Sequence, residues 1–249
     1  MTGGRAVPGG RAVPGGRAGP GVERHHSDVS GGWLRAATFG AMDGLVTNIA
    51  LIAGVGGGGV GTHTLILTGV AGLVAGAISM GIGEYTSVKT QNEQVAAELA
   101  KELRELRANP DGEADELVGM WTARGLPPLL ARQFADVLKA HPEQALRVHA
   151  QEELGVVPDE LPSPWTAAFT SFGCFAVGAV VPLLTYLLGI DSLMLALAVG
   201  GVGLFLAGAL VARFTGRSWW PSGLRVLLLG AAAAGATYLV GTLIGVGVA

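Results

Sequence analysis

Asp43 stands alone among apolar residues in AMDGLVTN, and Met80 and Glu84 stand four apart in a second apolar run, SMGIGEY. A carboxylate deep in hydrocarbon is expensive to insert, so such a residue normally faces a bundle interior or an aqueous path. Thr47 lies one helical turn after Asp43 on the same face. These side chains suit a cation stripped of water. The carboxylates supply charge and exchange protons, while the thioether accepts Fe(II) more readily than Mg(II) or Ca(II). Other readings stay open on spacing alone. A protonated Asp43 would also serve as a helix-to-helix hydrogen bond, Met80 as packing, and Glu84 as an interfacial residue near the end of its span.

A second group of candidates lies in a polar stretch. Glu102 and Glu105 form one E-x-x-E pair, Glu113 and Glu116 form another, and His149 and Glu153 are four apart. Residues three or four apart share a helix face, and facing helices can converge carboxylates and imidazole on a metal ion. Oxygen plus imidazole suits Fe(II), Mn(II) or Zn(II). The competing reading is a solvated face, because Lys101, Arg104 and Arg107 interleave with the acids as helix ion pairs do.

The elements that must position these residues are legible from composition. Of 249 residues, 50% are hydrophobic and 14% charged, against roughly 25% charged in soluble domains. Five stretches approach the ~20 apolar residues that cross a bilayer: Trp33–Val55, Thr64–Val88, Thr166–Leu188, Ser192–Phe214 and Leu224–Val248. The expected architecture is an all-α membrane protein. Residues 33–88 hold spans one and two, residues 89–164 a helical module, and residues 165–249 spans three to five. Fourteen of the 19 acidic residues fall in the module. Span two has no breaker at its end and is expected to run on as one long helix through Glu98. Asn109-Pro110-Asp111-Gly112 is read as a breaker, followed by helices ending near Gly125, over Leu129–Ala140, and from His141-Pro142 through Glu153. Residues 1–32, with the near-repeat GGRAVP, are expected to form a disordered tail, in which His25 and His26 are more simply mobile than metal-bound.

Connections rich in Lys and Arg alternate with neutral ones. The stretch before span one, the module, and the fourth connection with Arg213, Arg217 and Arg225 are basic. The positive-inside rule then puts the N-terminus and the module in the cytoplasm and the C-terminus outside. The formal net charge of −3 and the lack of a basic, aromatic-rich face argue against nucleic-acid binding. No nucleophile–base constellation or phosphate loop is visible, so no enzyme is expected. The single cysteine, Cys174, excludes an intrachain disulfide.

Four stretches together resemble the vacuolar iron transporter family of yeast and plant vacuolar importers and bacterial members: DGLVTNIALIAGV, AGAISMGIGEYTSVKTQNE, GAVVPLLTYLLG and WWPSGLRVLLLGAAAAGATYLVG. The resemblance covers nearly everything from Trp33 onward. It implies five spans with a cytoplasmic helical metal-binding domain between the second and third, a homodimer with the path at its interface, and Fe(II)/proton antiport. Asp43 and Met80 match the membrane path. Glu102, Glu105, Glu113, Glu116 and Glu153 match the cytoplasmic site, which turns the E-x-x-E pairs from a solvated face into ligands. Plant members have Met-Met where this chain has His149-Ala150, and acids where it has Ala36 and Gly72.

The expected function is therefore export of Fe(II) from the cytoplasm across the cell membrane against protons. Mn(II), Co(II) and Zn(II) are the alternative cargoes. A membrane-anchored metal sensor or buffer and a passive cation channel are the rival readings; a deep Asp43 argues against a mere anchor.

Overall fold

In lipid a chain satisfies its backbone polar groups by helices or by a closed barrel. The computed structural model describes residues 32–248, and among them the chain uses helices alone. The order is α1 (Trp33–Gly57), α2 (Thr62–Ala108), α3 (Pro110–Ala123), α4 (Pro128–Lys139), α5 (Pro142–Glu153), a 3-10 turn (Pro158–Glu160), α6 (Pro164–Leu187), α7 (Leu193–Phe214) and α8 (Trp219–Val248). Helices α1, α2, α6, α7 and α8 are long and apolar enough to cross a membrane. The protein is thus an all-α, multi-pass membrane protein. Exposed Leu67, Val74, Ile78 and Ile82 run along α2 as a stripe suited to hydrocarbon. The tail with His25 and His26 lies outside the described residues.

The core is built on α6, which packs against α1 and α2. Small residues permit the approach. A Cβ on Gly44 would stand 2.1 Å from the Phe175 carbonyl oxygen, and one on Gly178 would stand 2.3 Å from that of Ala41. Phe175 itself is buried between Gly44 and Gly76. Buried Asn48 on α1 donates its side-chain amide to the Ala179 carbonyl, in the turn that Pro182 weakens by lacking an N–H. Gly44→Ala must therefore push backbone against backbone. The expected result is a loss of about 1–3 kcal/mol, as for other overpacked cores, read as a lower melting temperature in detergent. An unchanged melting temperature would show that α1 and α6 separate freely.

Helix α2 runs unbroken for 47 residues, about 70 Å at 1.5 Å per residue. That is more than twice the ~30 Å of a hydrocarbon core. Its second half therefore extends past the apolar segment as a rigid mast, stiffened by the Lys89–Glu93 pair at 3.3 Å. Against its far end pack α3 and α5, with α4 closing over them, around Ala114, Leu117, Ala135, Leu138 and Ala145, with Leu106 of α2 at the edge.

Two boundaries differ from expectation. The breaker does not precede α3 but starts it: Asn109 caps the helix by accepting from the Gly112 N–H at 3.1 Å, and Pro110 takes the first helical position, where its missing N–H is harmless. Helix α8 begins at Trp219 rather than Leu224, because Pro221 falls in the first turn, which tolerates proline. Arg213 and Arg225 consequently sit on α7 and α8, leaving Arg217 in the connection itself.

Candidate metal centre

Three helices bring the module's candidates together. Glu102 comes from the mast, Glu113 from the first turn of α3, and His149 with Glu153 from the end of α5. The start of α3 favours a carboxylate at Glu113, since the helix dipole is positive there. Helix α5 is fixed by Glu152, which pairs with Arg124 and accepts from the Trp121 indole at 3.2 Å. His149 is thereby fully buried.

Its Nδ1 lies 2.8 Å from Glu153 Oε1, 3.0 Å from Glu102 Oε1 and 3.9 Å from Glu113 Oε2. Only the contact to Glu153 has hydrogen-bonding geometry. Glu102 Oε1 and His149 Nε2 are buried without a hydrogen-bond partner. Buried polar atoms are rarely left so. One donor atom each from Glu102, Glu113 and His149 lies within 4.8 Å of the others, close enough to share a cation after small side-chain adjustments.

Beside them opens a polar cavity of about 260 Å³, lined by Glu98, Lys101, Glu102, Glu105, Glu113, Glu116, Glu153 and Leu154. All five glutamates expected here thus share one cavity, with His149 at its edge. Glu105 and Glu116 are exposed, and Glu105 leans toward Lys101 at 3.9 Å. Glu98 was missed by sequence reasoning. The signal was its place one turn before Glu102 on the same face of α2, outside the E-x-x-E pairs.

Crowding shows in the electrostatics. Burial, then the charges of Glu153, Glu113 and Glu105, push the Glu102 carboxyl up to about 7, although His149 pulls the other way. Glu113 is also raised, first by burial and then by Glu116, Glu105 and Glu153, again opposed by His149. Carboxylates that repel one another around a single imidazole nitrogen are stabilised by a divalent cation.

The membrane candidates are arranged differently. Asp43 is half-buried on α1 and accepts from the Thr47 hydroxyl at 3.3 Å. Thr47 opens onto a groove of about 1010 Å³ between α1 and α8, with Leu51, Gly54, Thr237 and Gly241 among its walls. Met80 is partly buried against Ala77, Phe175 and Ala179. Glu84 is bonded to Arg35 of α1, so it does not stand free.

Residues 34–242, nearly all of the described chain, match the VIT family. A vacuolar iron transporter of Acanthamoeba castellanii is 36% identical over 200 residues, 75% of this chain and 72% of that protein. Vacuolar iron transporter 1 of Oryza sativa is 32% identical over 222 residues, covering 87% and 86%. That of Arabidopsis thaliana is 29% identical over 220 residues, covering 86% and 88%. The match runs through α1 and α2, the polar module and the three later spans alike, and it places the protein among transporters rather than enzymes: the chain belongs to the VIT family.

Proposed function

We propose that this protein exports Fe(II) from the cytoplasm in exchange for protons, as a homodimer in the cell membrane, with Mn(II) as a second cargo. The observation that carries the reading is His149, buried with one ring nitrogen among Glu102, Glu113 and Glu153. In this scheme the N-terminus and the module face the cytoplasm and the C-terminus faces outside, as the basic connections favour. The module collects the ion, and Asp43 and Met80, with Thr47 beside them, pass it across the bilayer. The relatives' names, vacuolar iron transporter, support iron as the cargo.

The proton enters through the same carboxylates. A cation needs Glu102 ionised, and with its pKa near 7 the site holds a proton through the lower half of the physiological range. Metal binding below pH 7 therefore releases a proton from Glu102. Affinity rises with pH up to about 7 and then flattens, whereas at an ordinary carboxylate the rise is already complete above about pH 5. Calorimetry of Mn(II) binding in buffers of different ionisation enthalpy measures the released protons. Equal proton release at pH 6 and pH 8 would remove Glu102 from the site.

The transport test is Fe(II) movement in proteoliposomes with an imposed pH gradient. Coupled antiport gives flux that follows the gradient and moves protons the other way. Metal binding without flux would favour a sensor or buffer, and flux indifferent to the gradient a channel.

A further inference from the structure

Arg35 and Glu84 are 49 residues apart and form, among the described residues, the one polar side-chain bond that joins α1 directly to α2. The two helices otherwise meet through apolar contact, directly where Leu51 packs on Gly72 and through α6, whose Phe175 is wedged between Gly44 and Gly76. The pair is lopsided: the Arg35 side chain is 64% exposed and that of Glu84 only 11%. Its place is as telling as its burial. Glu84 stands one turn from Met80 on the same face of α2, about 6 Å along the axis, and Arg35 stands two turns before Asp43, about 12 Å. The bond therefore lies between the polar module and the membrane residues of the path.

We propose that Glu84 is a cation way-station at the module end of this path, and that Arg35 guards it by occupying the carboxylate whenever no metal ion is there. The inference rests on the transport reading above. A largely buried carboxylate that loses its ion-pair partner is destabilised, so Glu84 favours a second cation in place of Arg35. The Arg35 guanidinium can leave cheaply, because it already reaches water and keeps its stem on the apolar surface. An arriving divalent ion offers Glu84 twice the charge. While bound, Arg35 repels stray cations from the mouth; once displaced, it frees the Glu84 oxygen it had occupied.

A plain strut between α1 and α2 is the alternative, and the two make opposite demands on the variants. In Fe(II)-loaded proteoliposomes, Arg35→Gln lowers the KM for flux several-fold, since no guanidinium competes for Glu84. Glu84→Gln lowers flux at sub-saturating metal at least about tenfold, equivalent to about 1.4 kcal/mol, while calorimetric metal binding to the module stays as in the wild type. The double variant Arg35→Glu/Glu84→Arg keeps an ion pair and so keeps the fold, but sets a fixed positive charge beside Met80 and abolishes flux. Arg35→Gln and Glu84→Gln failing alike, or the double variant transporting normally, would overturn the guard and leave a strut. Absence of Fe(II) flux in the wild-type protein would instead overturn the transport reading itself.

Discussion

Asp43→Ala abolishes Fe(II) flux while leaving metal binding by the polar module intact. The reasoning starts from position. Asp43 lies ten residues into α1, half-buried and bonded to Thr47, with no basic residue bonded to it among the described residues. A divalent ion crossing here has shed most of its water and needs fixed negative charge. At an effective dielectric constant of 20, two unit charges 4 Å apart attract by about 4 kcal/mol, and a divalent ion doubles this. Losing even a third of it lowers occupancy by about 100-fold. Asp43→Asn separates charge from shape, because it keeps the volume and can still accept from Thr47. It should fail as badly as Asp43→Ala and melt at the wild-type temperature. Wild-type flux in Asp43→Asn would mean that the side chain is merely a helix-to-helix bond and that the ion travels elsewhere.

Asp43 was suspect from sequence because depth in an apolar run is a one-dimensional property. So were the five spans and the continuous mast, which need only composition and the absence of breakers. The module's helices were also legible, since prolines at 110, 128 and 142 mark their first turns. What spacing could not decide was whether Glu102, Glu105, Glu113 and Glu116 face water or one another. That depends on how α2, α3 and α5 pack, and the family resemblance, not periodicity, pointed to convergence. Three features stood outside the motifs that spacing singles out. Glu98 fell outside the E-x-x-E pattern. Asn48 reads as an ordinary polar residue until its bond to Ala179 on α6 is seen. Arg35 looked like a positive-inside marker, and its bond to Glu84 spans a separation no local pattern encodes.

Those contacts sharpen the division of labour along the chain. The module carries repelling carboxylates whose raised proton affinity comes from being buried together. The apolar segments of α1 and α2 carry two carboxylates, each one bonded: Asp43 to Thr47 and Glu84 to Arg35. On the transport reading proposed above, a metal ion moving from one to the other would pass from a site of surplus negative charge to sites where each carboxylate must first be released.

His149 offers the sharpest test of the module, because it is the one neutral-capable nitrogen donor amid oxygens. His149→Ala removes a ligand and also the group that opposes the rise in the Glu102 and Glu113 pKa values. Both effects weaken binding, and the second does so only where protons compete. Loss of a group merely supporting a ligand typically lowers metal affinity about 10–100-fold, and loss of the ligand itself should reach at least the upper end. The deficit is larger at pH 6 than at pH 8, since the carboxylates then start from still higher pKa values. His149→Met separates donor identity from donor number. It keeps a donor atom but exchanges a borderline imidazole nitrogen for a soft thioether sulfur, so it recovers part of the binding and changes the relative affinities for Fe(II), Zn(II) and Co(II). Calorimetric competition among the three ions at the two pH values reads both effects. An His149→Ala protein that binds Fe(II) as the wild type does would show that the buried imidazole only packs α5 against the mast, with the glutamates alone holding the ion.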